Sequence, residues 1–299
     1  MAGNPVFRFF VLLVVASSAL GQTATVKVKV AAVQFRSSFD VTENRRRIVA
    51  TLERLAEQGV NVAAFPECAL TGYRKDPTTT SAEEVSAAEE EIRQTCGTRK
   101  IAAVVGSIYK INGRTYVTAV VFDSRGDLRE RYGKLMLAGE KWATPGNHIA
   151  LFELEGVPST VIICHDERYP ELVRLPALCG ARLVYYISCE SGMAEESKLK
   201  PYRAQMVARA VENTVYVVAA NAPGYLKDNS AGSHGQSRLI QDDGNILKEA
   251  SFYGEDVLIE SLEIKLKPDR LARPLEGLMA DWWRQGVDRL MAIRGRKLD

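Results

Sequence analysis

A cysteine and three charged side chains could together carry out nucleophilic chemistry in this chain. Cys164 follows an apolar run, 161–163, and precedes a polar turn, after which Pro170 opens a helix-like stretch, 171–178. At such a strand-to-helix turn, backbone N–H groups and the helix dipole can stabilise a thiolate or an oxyanion. A single cysteine is more often a buried structural residue than a nucleophile. The prediction of chemistry therefore depends on the charged residues that accompany it.

Two upstream segments have the same design, an apolar or strand-like run that ends in a charged side chain. The run 61–65 leads to Glu67, and the run 128–133 leads to Lys134. A turn-rich loop, 139–146, then carries Glu140. Each charge on its own is most often a solvated surface group. In this order, however, the glutamates and the lysine could deprotonate a thiol and stabilise a tetrahedral intermediate.

The motifs around these residues resemble those of the nitrilase superfamily, the carbon–nitrogen hydrolases. The matching segments are Phe65-Pro-Glu67 with Thr71-Gly-Tyr73, Tyr132-Gly-Lys134, Gly139-Glu140 with Thr144-Pro-Gly146, Ile163-Cys-His-Asp-Glu-Arg-Tyr-Pro-Glu171, Ala210-Val-Glu-Asn213, 216–221 and Gly235-Gln-Ser237. The similarity extends from about residue 26 to about residue 262. Two features depart from the family pattern. The loop between Lys134 and Glu140 is short, and His165 stands where relatives usually carry an aromatic residue or Asn.

The resemblance implies a thiol hydrolase that cleaves non-peptide carbon–nitrogen bonds. In such an enzyme Cys164 attacks the carbonyl carbon, Glu67 is the general base and Lys134 stabilises the oxyanion. Glu140 orients Lys134 or the leaving group. A thiol with a pKa near ~8.5 is only slightly ionised at neutral pH, so it needs a base in contact. The implied reaction forms a thioester, releases ammonia or an amine, and ends with attack by water.

Three further residues are predicted to contact the substrate. His165 is expected to line the pocket or to complete the oxyanion hole through its backbone N–H. A dyad with the neighbouring cysteine is disfavoured, because adjacent side chains of a strand point to opposite faces. Arg168 could bind a carboxylate, and its alternative is an ion pair with Asp166 or Glu171. Glu190 lies where relatives line the pocket, and we expect it to meet a cationic or amine-bearing substrate.

Composition and motif spacing argue against several other kinds of site. The chain has 299 residues, 46% of them hydrophobic, and a formal net charge of +2 with acidic and basic residues interleaved. These values favour one large domain and argue against nucleic acid as a partner. The three histidines are far apart, and the sequence has no HExxH or CxxC spacing and no phosphate-binding loop. We therefore expect neither a metal ion nor another cofactor.

The N-terminal residues resemble a cleaved secretion signal. Arg8 precedes an apolar stretch, 9–15, and Ala19-Leu-Gly21 fits a small-x-small cleavage site. The apolar stretch is too short to span about 30 Å of hydrocarbon. A buried N-terminal strand or a membrane anchor is the alternative. We expect a signal peptide at 1–21, a secreted or periplasmic protein, and no membrane span in its mature form.

The sequence predicts alternating strands and helices, and these elements must position the reactive residues. Apolar runs predict strands at 26–33, 62–65, 101–109, 115–122, 161–163, 183–187, 215–220 and 257–262, and helices at 41–58, 82–98 and 202–213. Ser81 and Glu84 resemble a capping box, and Asn112-Gly113 and Asp243-Gly244 are typical of hairpin turns. Helices that follow strands, together with hairpins, indicate two sheets covered by helices. This α/β pattern is compatible with the four-layer αββα sandwich that the resemblance implies.

The patterns divide the chain into a hydrolase domain, 26–265, and a helical tail, 266–299. Apolar residues recur at near-helical spacing between 274 and 297. The tail packs either on its own domain or on a second subunit. Since relatives commonly dimerise, we expect a homodimer or a larger homo-oligomer. The five cysteines leave at least one unpaired, and the pattern slightly favours reduced thiols for the other four.

The leading hypothesis is an amidase that acts on a small linear amide or N-carbamoyl compound. A nitrilase would share the catalytic set and differ in its pocket. N-acyl transfer is a further possibility, although the membrane-bound acyltransferases of the superfamily carry several spanning helices. The alternative from another class is a non-catalytic binding protein with the same fold. The presence of Glu67, Lys134 and Cys164 together favours an enzyme.

Overall fold

The computed structural model describes residues 24–73, 79–190, 198–225, 228–267 and 278–294. The predicted signal peptide, 1–21, lies outside these residues, and so do residues 268–277 and 295–299 of the predicted helical tail. Within the described ranges, no helix is both long enough and apolar enough to cross a membrane.

The first of two six-stranded sheets positions Glu67 and Lys134. Its spatial order is β14-β1-β2-β3-β4-β5, with strands numbered along the chain. The strands are β1 (Thr25–Gln34), β2 (Val62–Ala64), β3 (Ala102–Ile111), β4 (Arg114–Phe122), β5 (Leu128–Gly133) and β14 (Asp256–Lys265). The short strand β2 is parallel to β1 and β3, and the other pairs are antiparallel. Glu67 follows β2, and Lys134 follows β5 directly.

The second sheet positions Cys164. Its order is β13-β12-β9-β8-β7-β6. The strands are β6 (Phe152–Leu154), β7 (Val157–Ile163), β8 (Leu183–Ser188), β9 (Tyr216–Asn221), β12 (Arg238–Ile240) and β13 (Ile246–Glu249), and a separate ribbon pairs β10 (Gly224–Tyr225) with β11 (Asp228–Gly232). Since β7, β8 and β9 are parallel, their carboxyl ends meet at one edge. Cys164 and Glu190 follow two of these ends.

Helices cover the outer faces of both sheets. They are α1 (Val41–Glu57), α2 (Ala82–Arg99), α3 (Glu171–Leu178) and α4 (Leu199–Asn213), and a further helix, α5 (Leu278–Arg294), follows β14 in the chain. One apolar cluster joins α1 and α2 to the first sheet, and another joins α3 and α4 to the second. A third cluster fills the space between the sheets. The four-layer αββα sandwich predicted from the sequence is confirmed.

Local signals explain where the helices begin. The Asp40 side chain accepts a hydrogen bond from the Glu43 backbone N–H at 2.9 Å and caps α1. The Ser81 hydroxyl accepts one from the Glu84 backbone N–H at 3.1 Å and caps α2, which is the first half of the predicted capping box, while Glu84 Oε1 accepts from the Thr42 hydroxyl at 3.4 Å. An oxygen at this position satisfies an N–H group that has no partner within the helix.

The sequence does not predict β6, β10 or β11, and two other elements begin earlier than predicted. The strand predicted at 161–163 begins earlier, at Val157, and forms a hairpin with β6 through Glu155 and Gly156, both at positive φ. The helix predicted from 202 begins at Leu199. A three-residue strand such as β6 is too short for a recognisable alternation of apolar residues.

Within the predicted C-terminal tail, Leu278–Arg294 form the helix α5. Its side chains Trp282, Trp283 and Leu290 are exposed by 59%, 38% and 64%. Docking of this helix on a second subunit remains a prediction.

Candidate active site

Cys164 occupies a sharp turn between β7 and α3. Its backbone φ is +48°, in the left-handed region, and it begins a 3₁₀ turn, Cys164–Arg168. Pro170 then precedes α3. Because of this turn, Ile163 and Cys164 both contact the apolar cluster between the sheets, which strict alternation along a strand would prevent. A left-handed residue other than glycine stores about 1 kcal/mol or more, and such strain is common at functional sites.

The carboxylate of Asp166 holds this turn in place. Its Oδ2 accepts hydrogen bonds from the Ile163 backbone N–H at 3.0 Å and from the Tyr132 hydroxyl at 2.8 Å. Its Oδ1 accepts one from the Met136 backbone N–H at 2.8 Å. Burial raises the pKa of Asp166 to about 6. One carboxylate therefore ties the turn that carries the nucleophile to the segment that carries Lys134.

Removing this anchor is expected to be costly. In Asp166→Ala, two backbone N–H groups and the Tyr132 hydroxyl lose their acceptor. We therefore expect the free energy of unfolding to fall by about 3 kcal/mol. The matched variant Tyr132→Phe removes only one of the three bonds and should cost about 1 kcal/mol. Urea denaturation of both variants measures the difference. Equal losses in the two variants would contradict the anchoring role.

Lys134 lies between two glutamates in the interior. Its Nζ is 2.8 Å from Glu67 Oε1 and 2.5 Å from Glu140 Oε1. All three side chains are almost completely buried. The second oxygen of Glu67, Oε2, accepts a hydrogen bond from the Cys189 backbone N–H at 2.9 Å. The structure thus brings together the Glu67, Lys134 and Glu140 that the sequence placed on three separate segments.

The loop that carries Glu140 is closed at its base. The Gly146 backbone N–H donates to the Lys134 carbonyl at 2.9 Å. Within the loop, Glu140 Oε2 accepts from the Ala138 backbone N–H at 2.6 Å, and Oε1 accepts from the Tyr73 hydroxyl at 2.8 Å. The short loop noted in the sequence therefore still delivers Glu140 to Lys134. The sequence reasoning did not identify Tyr73 as part of the site, although the Thr71-Gly-Tyr73 motif contains it.

The electrostatics of the site favour a charged lysine beside a neutral thiol. Burial raises the pKa of Glu67, although Lys134 opposes this. Burial would lower the pKa of Lys134, but Glu67, Cys164 and Glu140 together raise it. Burial and then Glu67 raise the pKa of the Cys164 thiol well above its usual value. In Glu140, Lys134 outweighs burial and lowers the pKa. Because Cys164 is protonated at rest, it needs a base during attack.

Gly106 allows β3 to approach the segment that carries Glu67. A Cβ at this position would lie 2.1 Å from the Pro66 carbonyl oxygen and 2.5 Å from the Cys68 backbone nitrogen. We expect Gly106→Ala to lower the free energy of unfolding by about 2–3 kcal/mol and to displace Glu67. Thermal unfolding and activity should both fall. Gly286→Ala is the control, since no atom lies within 4 Å of the Cβ that this change adds in α5.

His165 and Arg168, two of the predicted substrate contacts, lie beside the nucleophile. The His165 ring packs edge-on against Tyr169 with centroids 5.9 Å apart, and burial and then Arg168 lower its pKa. Arg168 is exposed and its guanidinium lies 5.9 Å from the Tyr202 ring centroid. The alternative ion pair between Arg168 and Asp166 or Glu171 is not formed. Substrate contact by His165 and Arg168 remains a prediction.

Glu190, the third predicted contact, lies in a buried polar cluster. Its Oε1 accepts a hydrogen bond from the Tyr186 hydroxyl, and its Oε2 lies 3.0 Å from His234 Nε2. The His234 ring stacks parallel to Tyr202, with centroids 5.6 Å apart. The sequence alone assigned no role in the site to His234. Its position between glycines, Gly232 and Gly235, was the signal that the chain brings this loop close to other backbone.

The five cysteines are all free. Cys68 and Cys96 are buried, Cys164 and Cys189 are partly buried, and Cys179 is exposed. The slight preference for reduced thiols in the sequence agrees with this arrangement. Among the described residues, no group of three or more His, Cys, Asp or Glu side chains is arranged to hold a metal ion.

Comparison with known proteins identifies the family. The model of the carbon-nitrogen hydrolase family matches residues 29–266, which include Glu67, Lys134, Glu140 and Cys164. The chain belongs to the carbon-nitrogen hydrolase family. Among curated members, the hydrolase is 28% identical over 248 residues to the 2-oxoglutaramate amidase of Bacillus subtilis (strain 168), covering 81% of this chain and 92% of that protein. It is 26% identical over 260 residues to the omega-amidase NIT2 of Xenopus tropicalis, covering 81% and 90%.

Solved structures of an amidase have the same fold as this carbon-nitrogen hydrolase. A double mutant of the amidase from Nesterenkonia sp. AN1 in complex with acrylamide has a TM-score of 0.75 and 26% identity, covering 87% of this chain and 97% of that one. A single mutant of the same amidase shows covalent addition of the acetamide moiety of fluoroacetamide at its active-site cysteine, with a TM-score of 0.71, 26% identity and coverage of 79% and 90%. The hydrolase is therefore an amidase-like enzyme.

Proposed function

We propose that this hydrolase cleaves a small linear amide or N-carbamoyl compound through a thioester on Cys164. The observation that carries the proposal is the position of Lys134, held between Glu67 and Glu140 and close enough to Cys164 for their charges to interact. This arrangement supplies a nucleophile, a base and a buried cation in one place. A binding protein with the same fold would have no need for a lysine buried between two carboxylates.

The first half of the proposed reaction forms the thioester. Glu67 takes the thiol proton as the Cys164 sulfur attacks the carbonyl carbon, and the carbonyl oxygen becomes an oxyanion. When the carbon–nitrogen bond breaks, the nitrogen takes the proton from Glu67 and leaves as ammonia or an amine. In the second half, Glu67 takes a proton from water as the water oxygen attacks the thioester carbon. The carbon–sulfur bond then breaks, the carboxylic acid leaves, and the proton returns to the Cys164 sulfur.

Lys134 and Glu140 form no covalent bond in the proposed reaction and instead stabilise the negative charge of the oxyanion, Lys134 directly and Glu140 through Lys134. The ammonium of Lys134 faces the region where the oxyanion develops, and in a buried site its stabilising effect is large. Glu140 keeps Lys134 charged and fixed, as its 2.5 Å contact indicates. The backbone N–H of His165 is the proposed second donor to the oxyanion.

The relatives support a small amide as the substrate. The curated proteins named above are a 2-oxoglutaramate amidase and an omega-amidase. The amidase from Nesterenkonia sp. AN1 has been solved in complex with acrylamide and with butyramide. Acrylamide and butyramide are short amides, which supports a short acyl chain in the substrate of this hydrolase.

Ammonia release from a panel of compounds tests the proposal. The panel contains short linear amides, N-carbamoyl compounds and the matching nitriles. Release from amides or carbamoyl compounds, with a thioester detected by mass spectrometry after rapid acid quenching, supports the proposal. Turnover of nitriles alone would replace it with a nitrilase, and silence across the panel with an unreactive Cys164 would favour a binding protein.

The proposed site of action is outside the cytoplasm. Arg8, the apolar stretch 9–15 and Ala19-Leu-Gly21 support a cleaved signal. Intact-mass analysis of the exported protein should show an N-terminus at Gln22. A mass that includes Met1 would contradict export by cleavage.

A further inference from the structure

A second acidic cluster lies beside the nucleophile and has no role in the proposed mechanism. It consists of Glu167, Glu190, Tyr186 and His234 and is called the Glu167–Glu190 cluster below. Glu167 lies in the 3₁₀ turn that begins at Cys164, and Glu190 follows β8, the strand next to β7. Both carboxylates raise the pKa of the Cys164 thiol. The cluster therefore adjoins the turn that carries Cys164.

One carboxylate oxygen in this cluster lacks a partner. Glu190 is satisfied by the Tyr186 hydroxyl and by His234 Nε2 at 3.0 Å. Tyr186 also lowers the pKa of Glu167, which places both carboxyls around one phenol. Glu167 is only 1% exposed, yet its Oε2 forms no hydrogen bond. Buried polar atoms without a partner are rare and indicate a missing ligand or a functional role.

The nearby arginines do not neutralise the two carboxylates. Arg209 donates to the Glu167 backbone carbonyl at 2.9 Å and to Glu212 at 3.0 Å. Arg238 pairs with Glu249 at 2.5 Å. In the part of the chain that the structure describes, no lysine or arginine lies within ion-pair distance of Glu167 or Glu190. His234 is thus their one ion-pair partner among these residues.

Burial and their mutual repulsion oppose ionisation of the two carboxyl groups. Burial and then Glu190 raise the pKa of Glu167 to about 9, and burial raises the pKa of Glu190 to about 7. Glu167 therefore holds its proton at neutral pH, and a cation bound beside it would favour the ionised form. Perturbed carboxylates beside a nucleophile are characteristic of functional sites.

We propose that the Glu167–Glu190 cluster is a subsite for an ammonium group on the acyl part of the substrate. An ammonium has three N–H donors, and Glu167 Oε2 is an acceptor that no protein group uses. Charge-assisted bonds to a carboxylate are about twice as strong as neutral ones. The preferred substrates are therefore short linear amides that carry an amino group. This inference rests on the proposed amidase function.

Binding to the Cys164→Ala protein tests the subsite without turnover. Calorimetry compares three pairs of equal length, each an amino amide with its uncharged counterpart: glycinamide with propionamide, β-alaninamide with butyramide, and 4-aminobutanamide with pentanamide. In at least one pair the amino amide should bind tenfold tighter or more. Succinamate, an anionic amide, should bind more weakly than butyramide. Equal or weaker binding of every amino amide would overturn the subsite.

Two variants locate the preference. Added separately to Cys164→Ala, Glu167→Gln and Glu190→Gln should each reduce the preference for the amino amide by tenfold or more and leave binding of the uncharged amide within threefold. Glu212→Gln, a change at an exposed glutamate that bonds Arg209, is the matched control and should retain the preference. A preference that survives in both Gln variants would overturn the assignment to this cluster.

Turnover by the unmodified enzyme separates the two proposals. If the uncharged amide and the amino amide of each pair are hydrolysed with equal kcat/KM, the subsite proposal is wrong and the amidase proposal stands. If the amino amides bind selectively to Cys164→Ala but no amide is hydrolysed by the unmodified enzyme, the subsite stands and the amidase proposal is wrong. The ratio of kcat/KM within each pair, measured in the Gln variants, should fall in parallel with the binding preference.

Discussion

Replacing Lys134 by Met is expected to abolish amide turnover and to destabilise the fold at the same time. The substitution leaves Glu67 and Glu140 buried without a cation, which costs about 3–5 kcal/mol. It also removes the charge that faces the oxyanion, so we expect kcat/KM to fall by about 10³-fold or more. Urea denaturation and ammonia release measure the two effects. The matched control is Lys141→Met, because Lys141 is exposed on the same loop.

A combined variant separates stability from catalysis. If the destabilisation of Lys134→Met arises from unpaired carboxylates, adding Glu67→Gln and Glu140→Gln should recover about half of the lost stability or more. Activity should not recover, because neither the cation nor the base is present. A Lys134→Met protein that is as stable as the unmodified chain would show that the two glutamates do not depend on the lysine.

Cys164→Ala is expected to lower amide turnover by about 10⁴-fold or more, because no other group can form the thioester. The change removes one sulfur atom at a partly buried position, so the free energy of unfolding should change by about 1 kcal/mol or less. Ammonia release and denaturation on the same preparation measure both. Turnover that persists at the level of the unmodified enzyme would exclude the thioester mechanism.

The control for this variant is the exposed thiol of Cys179, at the end of α3. Cys179→Ala should leave turnover unchanged, and it also removes an exposed thiol that reacts with alkylating agents. In that background, iodoacetamide should label Cys164 in the folded protein, because Glu67 takes the thiol proton during attack in the proposed reaction. Cys68 and Cys96 are buried, so these thiols should label only on unfolding.

The parts of the site that follow strands could be predicted from sequence. Glu67, Lys134 and Cys164 each come after an apolar or strand-like run, and strand ends place side chains at a sheet edge. The helix after the nucleophile has the predicted bounds, Glu171–Leu178, because Pro170 gives a sharp start. Local signals of this kind are contained within a few residues, which is why the sequence reveals them.

The parts that depend on distant segments could not be predicted. The Glu167–Glu190 cluster brings together the 3₁₀ turn, the end of β8 and the loop that carries His234, and no local pattern indicates that these meet. The left-handed φ of Cys164 could not be predicted from the sequence either, since cysteine has no preference for the left-handed region of backbone conformation. The anchor at Asp166 likewise depends on Tyr132 and Met136, about thirty residues earlier in the chain.

The pairing of β1 with β14 has a consequence for how the domain is made. These strands pair along their full length, from Thr25 opposite Lys265 to Gln34 opposite Asp256. During synthesis, β1 leaves the ribosome long before β14, so this pair of strands cannot form until β14 has also emerged. A chain of this topology therefore stays incompletely folded until β14 has left the ribosome.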